Sequence, residues 1–170
     1  MTELSQILPQ AEVSREAFRE GMACLAGAVN IVTTDGPGGR AGLTASAVCA
    51  VTDTPPRLLV CVNRSSSAGP AFAKNSALCV NTVGPDHQDL AMLFGGKTPM
   101  DERFTKADWQ AGLSGAPILR GAAVAFDCQV AERVAQGSHE VLFCDILQVI
   151  RAEKPSSLIY FSRKFHALEG

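Results

Sequence analysis

The chain has 170 residues, 46% hydrophobic, 19% charged and only 6% aromatic, with a net charge of -2. That length suits one domain with a substantial core, built from Val, Leu, Ile and Ala more than from rings. The weak charge offers no electrostatic basis for holding nucleic acid or an anionic membrane, and no apolar run approaches the ~18 residues of a membrane span. The polar N-terminus is not a signal peptide, so a cytoplasmic protein is expected.

Residues 1–13 read as a flexible leader, and 14–170 as a single domain. Ser14 is a candidate N-cap for a helix through about Ala26, with Glu16 in its first turn and Phe18, Met22 and Leu25 on one apolar stripe. Gly27 breaks it. AVNIVTT (28–34) predicts a strand, DGPGG a turn, and 41–51 a second strand completing a hairpin. TDTPP (52–56) stops that strand, because each proline lacks a ladder donor. LLVCV (58–62) shows no internal alternation, as expected of a strand covered on both faces.

Residues 69–75 predict a short helix, 77–83 a strand and 86–94 a second short helix. Residues 95–121, rich in Gly, Pro and charge, read as a long functional excursion. Phe126, Cys128 and Val130 then alternate with Asp127 and Gln129 in a strand over 125–130. AQGSH (135–139) reads as a turn, 140–150 as the returning strand and 158–161 as a last short strand before a basic tail. Six or more strands with no βαβ rhythm predict a mainly β, closed antiparallel barrel with short helices. No GxGxxG follows a strand, which disfavours a Rossmann fold.

The six cysteines are widely spread with no CxxC pair, and read as small core residues in a reducing compartment. No metal site is expected. GxSxG, HExxH and P-loop patterns are absent, so an enzyme with so few catalytic side chains would need a cofactor for the hard chemistry. Thr44, Ala45, Ser46 and Ala47 keep their side chains short. They read either as a strand packed beneath a helix or as a backbone edge for a flat heterocycle. Asn63, Arg64, Ser65, Ser66 and Ser67 read either as a hydrophilic turn or as a phosphate loop, supported by a helix starting near Gly69. Lys97 is a second candidate phosphate contact, and His139 a group that could reach a carboxamide. The basic tail, with Arg163, suits solvent or dinucleotide phosphates. Asp86, Asp89, Asp101, Glu102 and Asp108 show no paired-carboxylate pattern and read as a solvated face.

AVNIVTTDGPGGRAG, LTASAVCAVTDTPPRLLVCVNRSSS with its TASAV, DTPP and CVNR, ALCVNTV, LFGGKTPMDERF, GSH and LIYFSRKFHAL occur in that order between residues 28 and 168. In this combination the chain resembles the short-chain flavin reductases with an FMN-binding split barrel, the reductase components of two-component flavin monooxygenases. FGGKTPM looks most like the NADH-dependent FMN reductases of uracil degradation, and next like the reductases of 4-hydroxyphenylacetate hydroxylation. The resemblance implies a homodimer that passes hydride from NADH to flavin N5 and delivers reduced FMN to a partner monooxygenase. NADPH and FAD remain open as alternatives, as does a non-catalytic flavin-binding protein.

The resemblance also implies roles by position. Thr44 to Val48 would run along the isoalloxazine, with Ser46 near N5, and Asn63 to Ser67 would hold ribityl and phosphate. Phe94 and Lys97 would close over the flavin. His139 would sit near the nicotinamide, with Arg163 and Phe165 shaping the same mouth. Trp109 or the tail could act across the two chains.

Overall fold

The computed structural model describes residues 12–170, so most of the predicted leader lies outside the described residues. Helix α1 (Arg15–Ala23) starts where expected, because the Ser14 hydroxyl accepts the Ala17 N–H at 3.1 Å. It ends a few residues early, and none of its residues is buried. Two short strands follow, β1 (Gly27–Ala28) and β2 (Asn30–Thr34), the second forming the expected hairpin with β3 (Ala41–Ala45).

The predicted strand over 41–51 is in fact two. Strand β3 stops at Ala45, and β4 (Val48–Asp53) pairs instead with β5 (Pro56–Asn63) around a cis Thr54–Pro55 turn. After α2 (Gly69–Lys74) come β6 (Ala77–Thr82) and, beyond a 3-10 turn at Pro85–His87, α3 (Gln88–Gly95). The long strands β9 (Val124–Gln136) and β10 (His139–Arg151) then meet across a two-residue turn, Gly137–Ser138. His139 therefore opens a strand instead of ending the turn.

These strands make one seven-stranded antiparallel sheet in the order β3-β2-β6-β9-β10-β5-β4. Its two edge strands are joined by Ser46 and Ala47 alone. Three Cα steps span at most about 11 Å. The sheet must therefore curl until its edges nearly meet, and the corner at 46–47 is the split in the barrel. Val32, Leu58, Val60, Val62, Leu78 and Leu142 fill the interior, closed at one side by Phe72 of α2. Strand β2 is buried along its whole length, since Ile31 on its other face packs under α3 against Leu90 and Phe94. In β5, by contrast, Leu58, Val60 and Val62 are buried but Leu59 and Cys61 only partly so. The expectation that 58–62 is covered on both faces fails in the single chain, because the outer face lacks such a cover.

Two further expectations are corrected. The excursion at 95–121 carries α4 (Met100–Phe104) and a hairpin of β7 (Trp109–Ala111) and β8 (Pro117–Leu119). Buried Asp127 of β9 pins that hairpin by accepting the Ser114 N–H at 2.9 Å and the Ser114 hydroxyl. The basic tail is also a strand. Strand β12 (Lys164–Glu169) pairs with β11 (Ser156–Phe161) around Ser162 and Arg163, both at positive φ, and β1 completes a separate three-stranded sheet.

Candidate functional site

A cleft of about 380 Å³ opens beside the barrel corner, between the end of β5 and the Gly95–Gly96 turn after α3. At its floor the loop after β5 is shaped by Asn63, whose side-chain oxygen accepts the Ser65 N–H at 2.9 Å and whose carbonyl accepts the Ser66 N–H at 3.1 Å. This Asx turn aims Ser66 and Ser67 into the cleft. The Ser66 hydroxyl is buried and has no partner among the described residues. A buried hydroxyl without a partner costs stability unless a ligand completes it.

The helix start is not the anion site that the sequence suggests. The Gly69 N–H is bonded to the Ser66 carbonyl, Pro70 has none, and the Ala71 N–H is bonded to the Ala68 carbonyl. Nor is there room to open that turn, since a Cβ at Gly69 would lie 2.5 Å from the Arg64 carbonyl oxygen.

The positive charge comes from Arg103 of α4, which the sequence hides directly behind two acids, Asp101 and Glu102. It is 2% exposed. Its guanidinium donates to the carbonyls of Thr98, Gly42, Phe94 and Gly96 at 2.9–3.1 Å and to the Ser67 hydroxyl at 3.1 Å. No carboxylate pairs with it among the described residues. Burial lowers its pKa from the ordinary value, yet a guanidinium remains charged at neutral pH. A buried cation beside one hydroxyl it holds and another without a partner fits a phosphate.

The rim of the cleft is the corner itself. Thr44 spends its hydroxyl on the Ala91 carbonyl at 2.6 Å, tying β3 to α3. The Ala45 carbonyl accepts from the Asn30 side chain at 3.2 Å. At Ser46 and Ala47 both side chains are exposed, and among the described residues neither N–H nor the Ser46 hydroxyl is hydrogen-bonded. Two free amides on small residues can meet the polar edge of a flat ring. Val48 lies just beyond, its N–H bonded to the Ser46 carbonyl at 2.9 Å.

Ser46 also lines two neighbouring spaces. One, of about 380 Å³, is bounded by Met92, Tyr160 and Phe165. The other, of about 1070 Å³, runs along α1 and the outer face of β5 and includes Arg163.

The remaining sequence-predicted residues divide among these spaces. His139, cross-strand neighbour of Asn63, lines the first cleft with its Nδ1 2.8 Å from the Ser138 hydroxyl. Phe165 lines the second space and Arg163 the third, so within one chain the three do not share a mouth. Arg64 donates to the Gly137 carbonyl and, like Ser65, does not line the cleft. Lys97 is exposed on the loop beyond Gly96.

Phe94 is no lid. It is 1% exposed and fixed by Phe104 and Trp109, with ring centroids 5.2 and 5.6 Å away. A Cβ at Gly42 would lie 2.7 Å from this ring, so only glycine lets β3 pass so close. Trp109 is tied into its own chain, its indole N–H donating to the Phe104 carbonyl at 3.1 Å.

Comparison with known proteins identifies the family of this fold. The family model described as "Flavin reductase like domain" matches residues 22–169. The protein named FMN reductase (NADH) RutF of Pseudomonas syringae pv. syringae (strain B728a) is 54% identical over 162 residues, covering 95% of this chain and 91% of its own length. The crystal structure of a flavin reductase from Haemophilus somnus superposes with a TM-score of 0.89 at 40% identity, over 92% of this chain and all of that one. The flavin reductase component of a bacterial two-component tryptophan halogenase does so with a TM-score of 0.84 at 26% identity, over 92% of this chain and 99% of that one. The chain belongs to the family of flavin reductase-like domains.

Proposed function

We propose that this protein is an NADH-dependent FMN reductase, a single split-barrel domain over 14–170 that supplies reduced flavin to a partner monooxygenase, in pyrimidine degradation as its FGGKTPM pattern suggests. The observation that carries this reading is the pairing of a buried Arg103, without a carboxylate partner among the described residues, with the hydroxyls of two residues that line the cleft, at one end of a groove whose other end offers free amides. The relative named FMN reductase (NADH) supports the choice of FMN and NADH.

In this reading Ser66 and Ser67 donate to the flavin phosphate. Ser46 and Ala47 present their N–H groups to the ring, with the Ser46 hydroxyl on the N5 side, where such donors favour developing negative charge. Phe94 and Gly42 fix the depth of the cleft. His139, held by Ser138, orients the nicotinamide. A flavin in this position supplies the hydride acceptor, and the chain contributes orientation without a protein acid or base.

Two copies complete the molecule. Phe18, Met22 and Leu25 are 60, 48 and 65% exposed, and their groove continues over Leu59 and Cys61 to Ser46. A second copy would bury this surface and bring the mouth residues of both chains together. No helix among the described residues is long and apolar enough to cross a membrane. Six scattered cysteines suit a reducing cytoplasm.

Initial rates of NADH and NADPH oxidation with FMN and with FAD test the assignment. Fastest turnover with NADH and FMN is expected. Turnover with FAD alone would support an aromatic-hydroxylase reductase instead. Flavin binding without turnover would leave a binding protein.

A further inference from the structure

We infer that Arg103 is a positioning residue that makes the cleft select a phosphorylated flavin, acting through the Ser67 hydroxyl: it lines the cleft but has no hydrogen-bond donor left for the ligand. This rests on the flavin reading above. A guanidinium has five N–H donors, and all five are spent here: one on Thr98, two on Gly42 and Phe94, two on Ser67 and Gly96. None remains for a ligand.

Four of those bonds run to carbonyls of three separate segments, namely β3, the end of α3 and the loop before α4. The fifth fixes the Ser67 oxygen as an acceptor, so its own O–H must point elsewhere. Ser67 lines the cleft beside Ser66, whose buried hydroxyl is without a partner among the described residues, and the cleft is where that O–H can turn. A hydroxyl that accepts from a cation is polarised, and becomes the better donor to an anion.

The charge matters as much as the bonds. Carbonyl dipoles solvate the guanidinium but do not neutralise it, and no carboxylate does so among the described residues. The net positive charge is therefore left for a ligand anion at the Ser66–Ser67 floor. Lysine, with three donors and a point charge, cannot bridge three segments and hold Ser67 as well.

The test compares FMN with riboflavin, which has the same ring and ribityl chain but no phosphate. Both are titrated into the full-length wild type, Arg103→Lys, Ser67→Ala and the double variant, with thermal stability measured in parallel. Wild type is expected to prefer FMN. Arg103→Lys should weaken FMN binding about 10- to 100-fold, the range for losing hydrogen bonds to a charged group. Riboflavin affinity should change by no more than about threefold, as for a contact far from the phosphate.

Ser67→Ala should narrow the same preference with a smaller loss of thermal stability than Arg103→Lys, since it leaves one guanidinium N–H unpaired whereas the lysine gives up several carbonyl contacts. If the two act in one chain of contacts, the double variant should lose little more than Arg103→Lys alone. Equal losses for FMN and riboflavin in Arg103→Lys, or additive losses in the double variant, would overturn the inference and make Arg103 a scaffold only. A wild type that binds neither flavin, or both equally, would instead overturn the flavin or phosphate reading on which it rests.

Discussion

The two ends of the cleft are built by opposite means. At the proposed phosphate end, Arg103 commits every donor, Asn63 folds its loop with its own side chain, and Gly69 has no room for a Cβ. At the proposed ring end, Ser46 and Ala47 leave two amides without a partner among the described residues, and three spaces meet there, one running along an exposed apolar stripe. A fixed anchor and an open mouth suit a flavin that must bind, react beside a second substrate and leave. In the proposed reading the anchor sets where the ring lies, and the open end admits the nicotinamide and, in the dimer, the second chain.

The largest expected effect breaks both ends at once. Phe94 is the buried floor shared by the Arg103 carbonyl network and the Gly42 approach. Phe94→Ala should cost about 3–5 kcal/mol in chemical denaturation and abolish tight FMN binding. Destabilisation with FMN binding retained would show that the floor does not position the anchor.

Alkaline pH tests the barrel that carries the anchor. Burial raises the thiol pKa values of Cys79, Cys128 and Cys144, that of Cys144 to about 12 from an ordinary 9.0. The folded chain thus keeps protons that the unfolded chain has lost. This contribution is complete below pH 9 and declines as pH rises towards 12, by about 1.4 kcal/mol per pH unit for each thiol. Denaturation measured across this window should show the fall, and Cys144→Ala should flatten it. An unchanged slope would mean that the thiols are more accessible than they look.

Smaller effects sharpen the contrast at the open end. Phe18→Glu combined with Met22→Glu should shift sedimentation from dimer to monomer while changing the unfolding of the monomer by less than about 0.5 kcal/mol, as for exposed positions. Dimers that persist would place the interface elsewhere. Ser46→Ala should leave thermal stability unchanged and slow hydride transfer by about 3- to 10-fold, the scale of one modest hydrogen bond. Its KM for FMN should hardly move. A raised KM with unchanged kcat would assign Ser46 to binding.

How far the sequence reveals this division follows from the distances along the chain. The Asn63–Ser67 loop is legible because its contacts span only two or three residues. Arg103 is not, because its key partners are Ser67 and Gly42, 36 and 61 residues away, while Asp101 and Glu102 beside it suggest solvent. The strands and their order along the chain follow from local pattern, but the break at 46–47 does not. Small residues alternate smoothly through it, and only the change of pairing partner from β2 to β5 reveals the corner. The apolar stripe on α1 is plain in the sequence, yet its cover is not found within the described chain.

In the proposed reading the phosphate end binds and the ring end reacts. Anaerobic stopped-flow reduction by NADH, with FMN and riboflavin run side by side on the wild-type protein, tests it most directly. Bleaching of both oxidised flavins at similar kcat, with a markedly lower KM for FMN, is the predicted result. Equal KM values for the two flavins, or no acceleration over flavin and NADH alone, would contradict it.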